Sequence, residues 1–285
     1  MLSCLLGKIA CVIKKIARMI EKIATIIANF SVLMRVAHVE LGISCYFCKQ
    51  NHEMMTIQEA MKERHSVRTY LDRPIPAEIL APLRALVEEC NEKGNLHIQL
   101  VLDDPKAFDS RLAHYGHFAG VRNYFALVGP KGRDLDERLG YWGEHLVLKA
   151  QMLGLNTCWV GLTYRKNSAV LNIGAGERLR AVIAVGYGAN NGVPHKVKPL
   201  EKLGRLNPVA LAKHAEMPQW FINGVKAAQL APTAMNQQKF QFTLWREKAV
   251  LAQTSWGFFA KMDLGIAKYH FELGAGSDCF FWCEI

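Results

Sequence analysis

The stretch Arg64-His65-Ser66-Val67-Arg68-Thr69-Tyr70 combines two guanidinium groups, an imidazole and several hydroxyl groups in one short segment, which we call the arginine segment. It follows residues 56–63, where Thr56 and Glu59 have the spacing of a helix capping box and predict a helix. If the chain is extended after that helix, alternation sends side chains 64, 66 and 68 to the same side. Because a guanidinium can hold phosphate through two parallel hydrogen bonds, the composition favours anion binding, with a solvated basic turn as the alternative.

A second informative segment is Ala-Pro-Thr-Ala-Met-Asn-Gln-Gln at residues 231–238, which we call the Ala-Pro-Thr turn. Its proline predicts the end of a preceding helix, and alternating apolar residues at 240–244 predict a strand after it. Between the two segments, residues 135–153 predict a long helix. A left-handed cap at Gly154 and a strand entering a glycine turn at residues 156–162 are predicted next.

These three segments resemble the motifs of the FMN-dependent nitroreductase family. The family pattern Arg-x-Ser-x-Arg-x-aromatic is matched in the arginine segment, and Ala-Pro-Ser-x-x-Asn-x-Gln is matched in the Ala-Pro-Thr turn, with Thr233 replacing serine. Residues 152–162 are similar to the family's helix end, Leu-Gly and glycine-rich strand end. The resemblance covers residues 54–285 and implies an α+β, nitroreductase-like fold of mixed and antiparallel sheets packed with helices.

The order of the motifs differs from the common pattern of the family. The Ala-Pro-Ser turn usually follows the arginine motif by a few dozen residues, but here residues 90–95 take that position and contain no proline. Glycines 143 and 154 have the same spacing as glycines 265 and 276, and a cysteine followed by an aromatic residue comes after each pair. The chain therefore resembles a branch with two degenerate halves, predicted at residues 54–206 and 207–285.

The resemblance implies one FMN per chain, held between the halves, and a ping-pong reaction that passes hydride from NADH or NADPH through the flavin. The acceptor would be a nitroaromatic, a quinone or a similar small molecule, and no catalytic side chain is required. The arginine segment and a basic segment at 192–200 would hold phosphate and ribityl, whereas the glycine turn and the Ala-Pro-Thr turn would line the ring. The cofactor-binding residues expected on this basis are Arg64, His65, Ser66, Arg68, Gly161, Leu162, Lys196, Lys198, Pro232, Thr233, Ala234, Met235 and Asn236.

Residues 1–53 form a leader that differs in composition from the rest of the chain. Isoleucine recurs at intervals of three and four from residue 9 to residue 27, with lysine and arginine around it, which predicts a basic amphipathic helix over residues 8–27. Its longest uncharged run, residues 23–34, is shorter than the roughly 20 residues that a membrane span needs. Such a helix contacts an anionic membrane surface or another helix, unless the leader is disordered or not native.

Composition limits the remaining functions. The chain has 285 residues, 51% of them hydrophobic, and a net charge of +10, yet no basic stripe alternates with aromatic residues, so no nucleic-acid partner is predicted. Cys45 and Cys48 have the spacing of one ligand pair, but no second pair lies nearby and no metal site is predicted. Without a secretory signal, reduced thiols and a cytoplasmic location are expected. A monomer could bind the flavin, with a homodimer as the alternative.

Two other functions stay open at this point. A relative that binds flavin, or has lost it, would act as a binding or storage protein and would not be bleached by NADH or NADPH. A membrane-surface protein governed by residues 8–27 would lose vesicle binding on deletion of the leader.

Overall fold

The computed structural model describes residues 55–109, 116–164, 170–211 and 216–284. The amphipathic helix predicted over residues 8–27, and with it the membrane-surface interpretation, lies outside these ranges. Within them, no helix combines the length and the apolar character that crossing a membrane requires.

Among the described residues the first helix is α1 (Ile57–Glu63), which begins with the predicted capping box. The Glu59 backbone N–H donates to Thr56 Oγ1 (3.2 Å), and Glu59 Oε2 accepts the Thr56 backbone N–H (2.7 Å). Arg64 at the C-terminal cap has φ and ψ of −71° and 116°, so the chain becomes extended where the arginine segment begins.

The first sheet has four strands in the order β1–β2–β4–β3, each antiparallel to its neighbour. These strands are β1 (Gln99–Val101), β2 (Asn123–Pro130), β3 (Asn156–Val160) and β4 (Glu177–Gly186). Helices α2 (Ala77–Gly94) and α3 (Leu135–Met152) pack on one face through a core that includes Phe125. The other face buries Val67 and Tyr70 of the arginine segment. Alternate residues of β2 belong to the two cores, as expected for a strand that is covered on both sides.

A second four-stranded sheet has the order β5–β6–β7–β8. Its strands are β5 (Gly204–Leu206), β6 (Phe240–Arg246), β7 (Ala249–Thr254) and β8 (Phe281–Trp282). Strands β6 and β7 form an antiparallel hairpin, whereas β5 pairs in parallel with β6 and β8 in parallel with β7. Helices α6 (Gln219–Ala228) and α7 (Ala260–Ala275) pack on this sheet around Phe242 and Phe271. The short helices α4 (Leu200–Leu203) and α5 (Pro208–Leu211) precede and follow β5 in the chain.

Helices α3 and α7 cross at Gly140 and Gly265, where neither helix has room for a side chain. A Cβ atom at Gly140 would collide with the carbonyl oxygen of Met262, and a Cβ atom at Gly265 would collide with that of Glu137. Met262 lies three positions before Gly265, and Glu137 lies three positions before Gly140. These reciprocal contacts relate the two helices by a local two-fold axis. On α3 the glycine at the contact with Gly265 is therefore Gly140, whereas Gly143 faces the Trp159 ring.

The elements around the two long helices follow one order. The series α2, β1, β2, α3, β3 corresponds to α6, β6, β7, α7, β8, and the two strands before each long helix are antiparallel. Strand β5, which comes after β4 in the chain, completes an edge of the second sheet. The predicted α+β architecture of mixed and antiparallel sheets packed with helices is confirmed, while the duplication and its boundaries at 54–206 and 207–285 stay predictions.

Candidate functional site

The arginine segment runs beside β3, an edge strand, and directs polar side chains into a cavity. Ser66 forms a parallel bridge with Thr157, and the Val67 backbone N–H donates to the Thr157 carbonyl oxygen (3.0 Å). Val67 is buried, whereas Ser66 and Arg68 are exposed and line the cavity. The alternation expected from the sequence therefore holds from residue 66 to residue 68.

The Ala-Pro-Thr turn forms another wall of the same cavity, to which it contributes Pro232, Thr233, Ala234 and Met235. Three residues of the turn, Met235, Asn236 and Gln238, have positive φ angles of 51°, 51° and 43°. Left-handed backbone at residues other than glycine costs free energy and is concentrated at functional sites. The amides of Asn236 and Gln238 stabilise this conformation, because both donate to the Lys196 carbonyl oxygen (2.8 Å each).

The cavity comprises two adjoining parts, of which we call the less open one the inner part and the more open one the outer part. The inner part has a volume of about 130 Å³ and is also lined by Cys158, Met262, Asp263 and Ile266. The outer part has a volume of about 560 Å³ and is also bordered by His117, Phe118, Leu162, Thr163 and Phe258. Residues that border both parts include Arg68, Trp159, Gly161, Ala234, Met235 and Phe259.

Arg64 does not line the cavity and instead joins a buried cluster around Glu144, which we call the Glu144 cluster. Arg64 Nε lies 4.0 Å and His270 Nε2 lies 3.0 Å from Glu144 Oε1, while Trp159 Nε1 donates to Glu144 Oε2 (2.9 Å). Burial lowers the pKa of Arg64, and the Glu144 charge opposes that shift. Within the described part of the chain, Arg64 Nε has no hydrogen-bond partner. The cluster links the start of the arginine segment to α3 and α7.

Asp263 is a buried carboxylate in the wall of the inner part, with 3% of its surface exposed. Its Oδ1 accepts the Ala234 backbone N–H (3.0 Å), and its Oδ2 accepts the Gln237 side-chain amide (2.8 Å). Burial raises the pKa of Asp263 to about 6, although both hydrogen bonds act in the opposite direction. The carboxylate therefore fastens the Ala-Pro-Thr turn to the first turns of α7.

The predicted basic residues His65, Lys196 and Lys198 are not among the described residues that line the cavity. Lys198 Nζ donates to the carbonyl oxygens of Gln237 and Gln238 (2.7 and 2.8 Å), so its ammonium group braces the Ala-Pro-Thr turn. Lys196 is exposed and His65 is half-buried. The pKa of His65 is lowered first by burial and then by the neighbouring guanidinium charge.

Much of the predicted set is thus brought together at one cavity, namely Ser66, Arg68, Gly161, Leu162, Pro232, Thr233, Ala234 and Met235. Sequence reasoning did not identify Trp159, Phe259 or Asp263, which line the cavity as well. A signal for Asp263 was available, since it is a single carboxylate between apolar residues at the start of a helix. Phe259 had no such signal, because its position against Gly161 depends on the packing of distant segments.

Comparison with known proteins adds the following findings. A family model described as "Putative TM nitroreductase" matches residues 56–275. A solved structure from Thermotoga maritima, described as a "putative nitroreductase", is 22% identical, with a TM-score of 0.56 over 80% of this chain and 88% of that chain. No curated protein matches this chain in sequence.

Two further solved structures match over about half of the chain. A "putative nitroreductase in complex with fmn" from Desulfovibrio desulfuricans is 22% identical, with a TM-score of 0.41 over 51% of this chain and 93% of that chain. An "FMN-dependent Nitroreductase" from Clostridium difficile R20291 is 17% identical, with a TM-score of 0.38 over 46% of this chain and 87% of that chain.

Proposed function

Because the chain belongs to the nitroreductase family, we propose that it is an FMN-dependent oxidoreductase. The reductant in this proposal is NADH or NADPH, and the acceptor is a nitroaromatic, a quinone or a similar small molecule. Reductant and acceptor use the same site in turn, as in a ping-pong reaction.

The meeting of two distant segments at one cavity is the observation that supports this proposal. Ser66 and Arg68 come from the arginine segment, whereas Thr233 and Met235 come from the Ala-Pro-Thr turn, and the whole first sheet lies between them in sequence. Each segment resembles a different flavin-binding motif of the family. Their convergence on one space is expected if both hold the same ligand.

The residues of the cavity fit FMN in chemistry and in space. A guanidinium, two hydroxyls and a tryptophan surround it, contributed by Arg68, Ser66, Thr233 and Trp159. Small-molecule sites have volumes of roughly 300–1,000 Å³. The inner part alone, at about 130 Å³, is below that range, and the outer part, at about 560 Å³, is within it. The outer part is therefore large enough for a small-molecule ligand, and the inner part extends the same space toward Asp263.

When bound, FMN supplies the hydride chemistry, and the residues of this chain bind it, orient it and exclude water. Arg68 offers a planar set of donors and a positive charge to the phosphate or the polar edge of the ring. Thr233 Oγ1 accepts the Gln238 backbone N–H (3.1 Å), which leaves its own proton for a ligand. In this proposal Lys196 supplies a further positive charge to the phosphate, and Arg64 positions the arginine segment through the Glu144 cluster.

We further propose that residues 54–206 and 207–285 are two copies of one half-fold, which lets a single chain supply both walls of the site. The reciprocal contacts of Gly140 and Gly265 and the shared order of helices and strands support this proposal. A monomer is then sufficient for flavin binding.

The test is the visible spectrum of the purified full chain after incubation with FMN, recorded before and after anaerobic addition of NADH or NADPH. We expect flavin bands that are retained on gel filtration and bleach with at least one reductant. Bound flavin that neither reductant bleaches would instead support a binding or storage protein. A chain that retains no FMN would refute the proposal.

A further inference from the structure

Phe259 stands at the boundary between the inner and outer parts of the cavity. Its ring lies against Gly161, so close that a Cβ atom at Gly161 would collide with the ring atoms Cε2 and Cζ. Both residues border both parts of the cavity. The ring therefore occupies the space between the start of α7 and the residue that follows β3.

The backbone of Phe259 has an unfavourable conformation. At the N-terminal cap of α7, its φ and ψ are 56° and 13°, and a phenyl ring has no atom that can accept a capping hydrogen bond. A bulky aromatic residue with positive φ is an outlier, and such strain persists where the surroundings hold it, often at a switch or a ligand clamp. The observed position of the ring is therefore maintained by its neighbours.

Two of those neighbours are Gln237, in the Ala-Pro-Thr turn, and Lys239, which connects the turn to β6. The Gln237 side-chain amide donates both to the Phe258 carbonyl oxygen (2.6 Å) and to Asp263 Oδ2 (2.8 Å). Lys239 Nζ donates to the Trp256 carbonyl oxygen (2.7 Å). A ligand that shifts the turn therefore also acts on the backbone that carries Phe259.

We propose that Phe259 is a gate that controls the passage of the flavin ring into the inner part of the cavity, an inference that rests on the proposed function. With the ring against Gly161, the inner part has a volume of about 130 Å³, well under the roughly 300 Å³ of the smallest typical ligand sites. Rotation of the ring away from Gly161 joins the inner part to the outer part. FMN association is then limited by the fraction of molecules in which the gate is open.

The adjacent aromatic residue provides a matched control. Phe258 borders the outer part alone and is 63% exposed, so its ring does not stand in the passage. Phe258→Ala removes a phenyl ring one position away and leaves the contact between Phe259 and Gly161 in place. For the gate itself, Phe259→Gly is the suitable variant, because glycine accepts positive φ without strain and the start of α7 is retained.

The experiment is stopped-flow quenching of FMN fluorescence by the full-length chain after removal of any bound flavin. For the native chain we expect the observed rate constant to reach a plateau with increasing FMN, since opening becomes limiting. For Phe259→Gly we expect the observed rate constant to rise linearly with FMN concentration. Association should be about tenfold faster than in the native chain if the gate of the native chain is open in about 10% of molecules. Phe258→Ala should retain the plateau.

The outcomes separate the gate from the proposed function. A rate constant that rises linearly with FMN in the native chain would overturn the gate without any variant, even if Phe259→Gly failed to fold. Equal association rates for Phe259→Gly and Phe258→Ala would overturn it as well. If the native chain does not quench FMN at all, the proposed function fails and the gate fails with it.

Discussion

The Glu144→Ala substitution tests whether the Glu144 cluster joins the arginine segment to the last part of the chain. Glu144 and His270 are fully buried, and Arg64 is 3% exposed. Loss of the carboxylate leaves the Arg64 charge and the His270 imidazole without their anionic partner and the Trp159 N–H without an acceptor. Removing one partner of a buried ion pair costs about 3–5 kcal/mol, and an unsatisfied buried donor costs about 1–3 kcal/mol. Because these effects overlap, we expect the free energy of unfolding to fall by about 3–5 kcal/mol.

The assay is urea unfolding of the full chain followed by far-ultraviolet circular dichroism. Glu89→Ala is the control, since Glu89 forms an exposed ion pair with Lys93 on α2, and we expect its midpoint to be unchanged. Glu144→Gln should give an intermediate loss, because the amide oxygen still accepts the Trp159 N–H. If Glu144→Ala and Glu89→Ala unfold at the same urea concentration, the Glu144 cluster does not hold the fold as described.

Three other predictions follow from the site and the helix crossing. Arg68→Ala should weaken FMN binding about tenfold or more in equilibrium dialysis, since a charge-assisted hydrogen bond is worth about 1.5–3 kcal/mol; unchanged affinity would remove Arg68 from the site. Gly265→Ala should lower the free energy of unfolding by about 1–3 kcal/mol, because the new methyl group would collide with the Glu137 carbonyl oxygen of α3. The control is Gly176→Ala, which should not destabilise the protein because no atom lies close to the added methyl group. Asp263 has its pKa raised from 3.8 to about 6, so between these pH values the native chain holds a proton that the unfolded chain has released. Stability should therefore fall by up to about 3 kcal/mol as pH rises through that window, and the Asp263→Asn variant should lack this slope in urea titrations at pH 4 to 7.

Local sequence signals predicted the elements that frame the site. The capping box at Thr56 and Glu59 and the left-handed Gly154, with φ of 77°, agree with the structure. Each of these depends on residues that are close in sequence, such as a cap side chain and the amide three positions on. The positions of Ser66 and Arg68 follow from the same kind of information, because alternation in an extended segment is a local property.

Features that depend on distant segments were not predicted. Alternation alone places Arg64 beside Ser66 and Arg68, but the Glu144 carboxylate on α3 attracts its side chain into the interior. Strands β5, β7 and β8 were also missed. β5 and β8 are very short and are defined by pairing with strands from other parts of the chain, which periodicity within one segment cannot reveal.

The proposed duplication also explains why the two motifs lie so far apart and predicts the flavin stoichiometry. If each half carried both motifs, the chain would form two equivalent sites, related by the proposed two-fold axis between α3 and α7. The segment before α6 has no Arg-x-Ser-x-Arg pattern, and residues 90–95 at the end of α2 have no Ala-Pro-Thr counterpart. Each half therefore lacks the motif that the other retains, and one of the two sites keeps both walls. We expect one FMN per chain from the ratio of flavin absorbance to protein concentration, and a ratio of two would show that the second site is functional despite its missing motifs.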